Sequence, residues 1–161
     1  MSIIYAKKIL IPLDFSPDSR LAVNEGLALA NRLGAQVTLL HVIHDSLEDP
    51  GFYLDGKKLK KQKKIFQQID DAAVEKLNEF VEKDGIDKQA KELGVTLDLR
   101  CRRGIPVTQI VRLAEKKEYG LIVMGSSGRT GLSHILLGSV AERVVERSTV
   151  PVMVVKKTKK R

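Results

Sequence analysis

The sequence predicts a single α/β domain built on an open, parallel five-stranded sheet with helices on both faces. Three observations predict it. Short apolar runs alternate along the chain with longer segments of helical periodicity, which is the order of a parallel sheet with crossover helices. Most of those runs are continuously apolar rather than alternating, as in strands buried on both faces. The chain has 161 residues, of which 43% are hydrophobic and 30% charged, enough for one core and ordinary for a globular domain. The domain is expected over residues 1–156, with the basic segment 157–161 as a disordered tail.

The first run, "KKILIPLDF" (7–15), ends in a turn signal, as a buried strand does. "SPDS" follows, with Ser16 as N-cap and Pro17 at the first helical position. Leu21, Ala22, Ala28, Leu29 and Leu33 give that helix an approximate stripe, and Gly34 falls where a left-handed C-cap belongs. "QVTLLHVI" (36–43) is the second strand, and "HDSLEDPGFYLDG" (44–56) the clearest loop. A long charged helix is expected from Lys58 into the low 80s, its buried face marked by Ile65, Ile69, Ala72, Ala73, Leu77, Phe80 and Val81. "KDGIDK" breaks it, and a short helical turn ends at Gly94.

"VTLDLRC" (95–101) alternates, with Val95, Leu97, Leu99 and Cys101 on one side, so it is expected to be a half-exposed edge strand. "RRGIP" reads as a turn, and Pro106 opens a helix carrying Ile110, Leu113 and Ala114. "GLIVMG" (120–125), a helix from about Ser139 to Arg147, and "VPVMVV" (150–155) complete the pattern. Right-handed crossovers then favour the strand order 3-2-1-4-5. The chain reverses direction across that sheet between strands 1 and 4, and ligands bind beyond the carboxyl ends of strands at such a point. Pro12, Leu13 and Asp14 end strand 1, and Met124 and Gly125 end strand 4, so they are expected to converge.

Between strand 4 and the last helix the chain reads "MGSSGRTGLSHILLGSV" (124–140). It fits neither G-x-x-x-x-G-K-[ST] nor G-x-G-x-x-G. Its chemistry still suits an anion. Gly125 lets a ligand approach the backbone, and Gly128 and Gly131 permit the turns of an anion nest. Gly138-Ser139 opens a helix whose free N–H groups favour phosphate, and Arg129 adds a charge-assisted contact. Asp14 suits a base amino group, a sugar hydroxyl or a cation. The competing reading is that Asp14 caps a turn and the glycines only shape a loop.

Gly125-x2-Gly128-x9-Gly138-Ser139 matches the nucleotide signature of the universal stress protein family, G-x2-G-x9-G-[ST]. The chain resembles that family along nearly its whole length, from "KILIPLDFSPDS" through "LIVMGSSGRTG" and "LLGSVAERVV" to "VPVMVV". The resemblance implies a flavodoxin-like, Rossmann-like sheet of the adenine nucleotide alpha hydrolase-like kind, and a homodimer that binds ATP, or else AMP or ADP. By the same resemblance, Asp14 and the Val42 backbone would hold the adenine, and Pro12, Leu13 and Gly125 would line the ribose. Met124, Ser126, Ser127, Gly128, Gly138, Ser139, Val140 and Ala141 would surround the phosphates, which bring Mg2+ or Mn2+. Ser127 stands where histidine or arginine is common, and Ala141 where some members carry a hydroxyl. By that resemblance, losing the hydroxyl would weaken phosphate binding or shift the preference from ATP toward AMP. The family also implies dimerisation through the edge strand 150–155, which would cover an apolar edge.

Three functions are open to such a chain. The first is an ATP- or AMP-dependent stress-response regulator that binds an unidentified protein partner. The second is a weak ATP hydrolase, although no catalytic residue is assigned. The third is a nucleotide-free dimeric module whose lysine-rich segments bind an acidic partner. The net charge of +8 gathers in "KKLKKQKK" (57–64) and the C-terminal "KKTKKR", and with only 4% aromatic residues nucleic acid is not the expected partner. No apolar run approaches the roughly 20 residues of a membrane span. The N-terminal segment is no signal peptide and Cys101 is the only cysteine, so a cytoplasmic protein is expected. His41 and His44 lack a third metal ligand at a recognisable spacing, His134 reads as a loop residue, Cys101 as core-facing and inert, and Asp70-Asp71 as solvated.

Overall fold

The computed structural model describes residues 6–45, 56–116, 119–127 and 137–157. Its strands are β1 (Lys8–Leu13), β2 (Gln36–His44), β3 (Leu97–Gly104), β4 (Leu121–Gly125) and β5 (Val152–Val155). Its helices are α1 (Pro17–Leu33), α2 (Gly56–Lys83), α3 (Ile86–Glu92), α4 (Pro106–Lys116) and α5 (Ser139–Arg147). The five strands form one sheet in the order β3-β2-β1-β4-β5, and every pairing is parallel. The expected architecture is therefore the observed one.

Strand periodicity divides the core. Ile9, Ile11, Leu13, Leu39 and Val123 point to one face and pack with α1, Leu77 and Phe80 of α2, and Ile86 and Ala90 of α3. Leu10, Leu40, Ile122 and Met124 point to the other and meet Val107, Ile110 and Leu113 of α4 with Ala141 and Val144 of α5. Each such leucine, isoleucine or valine contributes about 1.5–3 kcal/mol on full burial. Tyr119 crosses the second face to donate its hydroxyl proton to Thr38 Oγ1 at 2.8 Å, so both buried hydroxyls are paired.

The caps of α1 are those expected. Ser16 accepts from the Ser19 amide, Pro17 begins the helix, and Gly34 closes it at φ 62°. The buried face is shifted, however: Ala22, Val23, Gly26, Leu27 and Ala30 point inward, and Ala28 is exposed. Small residues at 22, 26 and 30 let the helix lie close on the sheet, while Leu21, Leu29 and Leu33 pack at its margin.

Three other expectations are corrected. In α2, Leu77, Phe80 and Val81 are buried, but Ile65 and Ile69 are 45% and 40% exposed, and Ala72 is exposed as well. Phe66, Asp70 and Ala73 on the same turns are half-buried, and Arg103 of β3 bonds Phe66 and Asp70, so the inward face of α2 there runs through 66, 70 and 73 rather than 65, 69 and 72. Arg102, Arg103 and Gly104 do not form a turn but extend β3, pairing with Val42, Ile43 and His44 of β2. Polar side chains are tolerated there because β3 is an edge. Asp70 is not simply solvated: Arg103 Nη2 donates to Asp70 Oδ1 at 2.6 Å and to the Phe66 carbonyl at 3.0 Å. Cys101 faces the core as expected and is partly buried, and burial followed by the charge of Asp70 pushes its thiol pKa up. The tail expected over 157–161 lies, beyond its first residue, outside the described residues.

Candidate functional site

The carboxyl ends of β1 and β4 open onto a cleft of about 630 Å3. That is a small-ligand volume, and the switch point of the strand order places it there. Twelve of the fourteen residues singled out from the sequence line it; Gly128 and Arg129 lie outside the described residues, as do Gly131 and His134. Pro12, Leu13 and Asp14 come from the end of β1, Val42 from β2, and Met124 and Gly125 from β4. Ser126 and Ser127 follow β4, and Gly138, Ser139, Val140 and Ala141 form the start of α5.

The two ends of the cleft differ in chemistry. Leu40, Val42, Ile43, Pro106 and Ile110 give one side an apolar wall suited to a flat ring. At the other, Gly138 is the N-cap of α5, with no side-chain hydrogen bond to the cap, and the helix directs its first-turn N–H groups outward. Glu142 closes that turn on the Gly138 carbonyl at 2.9 Å. Helix N-termini attract anions through these groups and the helix dipole.

Asp14 accepts the Ser16 amide at 3.0 Å through Oδ1, forming an Asx turn between β1 and α1. Next to it, Phe15 has φ 66° and its ring packs against His41 at 4.5 Å and Phe80 at 5.3 Å.

The strand-end side is joined to its surroundings by a short relay. The Ser126 amide donates to the Val155 carbonyl at 2.9 Å, and the Ser126 carbonyl accepts from the Gly138 amide at 2.7 Å. Asp18, in the first turn of α1, takes three further hydrogen bonds on Oδ2. They come from Ser126 Oγ at 3.0 Å, the Ser127 amide at 3.1 Å and Ser127 Oγ at 2.6 Å. Gly125 lines the cleft and also makes room for α1, because a Cβ there would lie 2.7–2.9 Å from the backbone and Cβ of Asp18.

Sequence reasoning passed over several lining residues. His41 is buried, lines the cleft and makes a 3.0 Å contact from Nδ1 to the Leu13 carbonyl. Its signal was the pairing of residues 13 and 41 in adjacent strands. Ser19, His44 and Pro106 also line the cleft. Among the described residues, no three His, Cys, Asp or Glu side chains gather as a metal cage.

Fold and cleft together define an α/β domain with an open cleft at the switch point of its parallel sheet. Residues 6–156 match the model of the universal stress protein family, and the chain belongs to that family. It is 39% identical to universal stress protein MJ0531 of Methanocaldococcus jannaschii, over 96% of this chain and 84% of that one. Universal stress protein MJ0577 of the same organism is 33% identical over 98% of both chains. The solved structure of MJ0577 superposes with a TM-score of 0.75, 31% identity and coverage of 97% of this chain and 99% of that one. A universal stress protein solved in complex with cAMP shares the fold at a TM-score of 0.66 and 23% identity, over 96% of this chain and 99% of that one.

Proposed function

We propose that the cleft binds an adenine nucleotide, ATP or AMP, and that its occupancy regulates a stress response in the cytoplasm through a protein partner. The observation that carries this reading is the pairing, within one cleft, of an apolar wall with the open N-terminus of α5. The adenine would lie against Val42, Ile43 and Pro12, with Asp14 accepting from its amino group. The ribose would pass Leu13, and phosphate would meet the first turn of α5, where Ser139 adds a hydroxyl. A divalent cation, Mg2+ or Mn2+, would neutralise phosphate charge when bound. The signature glycines at 125, 128 and 138 and the family's fold, which holds cAMP in one relative, support the nucleotide.

The same reading includes a homodimer. β5 is hydrogen-bonded on one side to β4 and carries Met153 37% exposed, so its other edge invites a second copy. The protein purified without added nucleotide should release an adenine nucleotide when denatured, read by chromatography of the supernatant. Gly138→Glu, which puts a carboxylate where phosphate would sit, should lower nucleotide affinity at least about tenfold in calorimetry. Light scattering on the same sample should give twice the chain mass. Absence of heat with ATP and AMP, in a protein that melts cooperatively, would sink the nucleotide reading.

A further inference from the structure

An adenine nucleotide in the cleft could carry one phosphate or three, and hydrogen bonding at the exit of β4 bears on that number. A deprotonated phosphate accepts hydrogen bonds and is held by N–H and O–H groups with protons to give. Ser126 and Ser127 line the cleft and carry four such donors. All four already have acceptors within the chain. The Ser126 amide bonds Val155, and the other three bond a single oxygen of Asp18. Gly138 has likewise given its amide to Ser126.

Because each serine hydroxyl donates to Asp18, its oxygen offers lone pairs to a visitor. A phosphate oxygen arriving there meets lone pairs backed by a carboxylate. Asp18 sits at the N-terminal turn of α1, whose dipole offsets part of that charge but not a full unit. A ribose hydroxyl, which has a proton to give, fits the same serines. At α5 the situation is reversed. Ser139, Val140 and Ala141 occupy the first three helical positions beyond an N-cap that makes no side-chain hydrogen bond, and all three line the cleft.

Resting on the nucleotide reading of the cleft, we propose that Asp18 is a specificity-determining residue that sets the phosphate number. By taking up three of the four donors of Ser126 and Ser127 it restricts favourable phosphate contact at these two residues, and tilts the site toward a nucleoside monophosphate over a triphosphate. Asp18 does so through Ser126 and Ser127, without touching the ligand itself.

The test is calorimetry of the wild type, Asp18→Ala and Asp18→Asn with AMP and with ATP, in buffer with chelator so that no cation screens the phosphates. The wild type should bind AMP at least about tenfold more tightly than ATP. Asp18→Ala removes the charge and releases three donors, so ATP affinity should rise about tenfold while AMP changes about twofold or less. Asp18→Asn is isosteric and keeps an acceptor for the serine hydroxyls, so its ATP gain should be intermediate. A wild type that prefers ATP, or an AMP/ATP ratio that is the same in all three proteins, would overturn the proposal and leave the nucleotide reading intact. If all three melt cooperatively and none binds either nucleotide, the nucleotide reading fails and the role of Asp18 with it.

Discussion

Phe15 holds the chain in the left-handed region, at φ 66°, between the carboxylate of Asp14 and the N-cap Ser16. A side chain there costs about 1–2 kcal/mol, which its ring offsets by packing between His41 and Phe80. The rim of the cleft is therefore shaped partly by a core aromatic. Cys101 gives a prediction at this scale. Its folded pKa is raised, chiefly by burial and secondarily by Asp70, so the folded state keeps the thiol protonated where a free thiol ionises. The stability this contributes is fully present below the unfolded pKa of about 8.5 and is lost as pH rises through the folded value. Iodoacetamide should label Cys101 more slowly in the native protein than in urea at pH 8.5, and equal rates would count against the burial. Single residues were unevenly legible. Asp14 stood out as a carboxylate at a strand end. Asp18 did not, because its partners are 108 and 109 positions away and only the assembled sheet brings them together.

Among the elements, legibility followed locality. Ser16, Pro17 and Gly34 bound α1 through contacts within a few residues, and they could be read directly. The inward face of α2 could not, because periodicity reveals a stripe without fixing which side of it meets the sheet. Ile65 and Ile69 extend the stripe, yet it is Phe66 and Asp70 on the same turns that meet β3. Arg103 on β3 anchors these turns. Its guanidinium bonds Asp70 and Phe66, lies 4.4 Å from the Phe66 ring centre, and contacts Asp45 at 3.3 Å. Part of each pair is open to solvent, so Arg103→Ala should cost only about 1 kcal/mol of global stability. Its local effect should be larger. Amide hydrogen exchange in residues 60–72 should speed up while that of residues 77–83 stays near wild type. Uniform protection in both segments would show that the anchor is dispensable.

For the molecule, strand order was readable because alternating runs and right-handed crossovers leave few arrangements, and that order locates the cleft. What composition could not reveal was which donors around the cleft were already engaged, since this depends on hydrogen bonds among β4, β5, α1 and α5. The parallel sheet also governs where the chain leaves the domain. All five strands end on the same side, so residues following Val155 depart from the rim of the cleft, where Val155 lies opposite Gly125 and bonds Ser126. Five of the six residues from Lys156 to Arg161 are cationic. Fully extended, six residues reach about 20 Å, well beyond the Debye length of about 8 Å at physiological salt. Lys156 and Lys157 thus leave β5 beside the cleft, and three of the four residues that follow them in sequence are cationic as well. Changing those five cations to glutamine should slow capture of a fluorescent AMP analogue severalfold at low salt in stopped flow, with the difference fading near 0.5 M, about three times physiological ionic strength. A capture rate indifferent to both the tail and the salt would mean that anions reach the rim without electrostatic guidance.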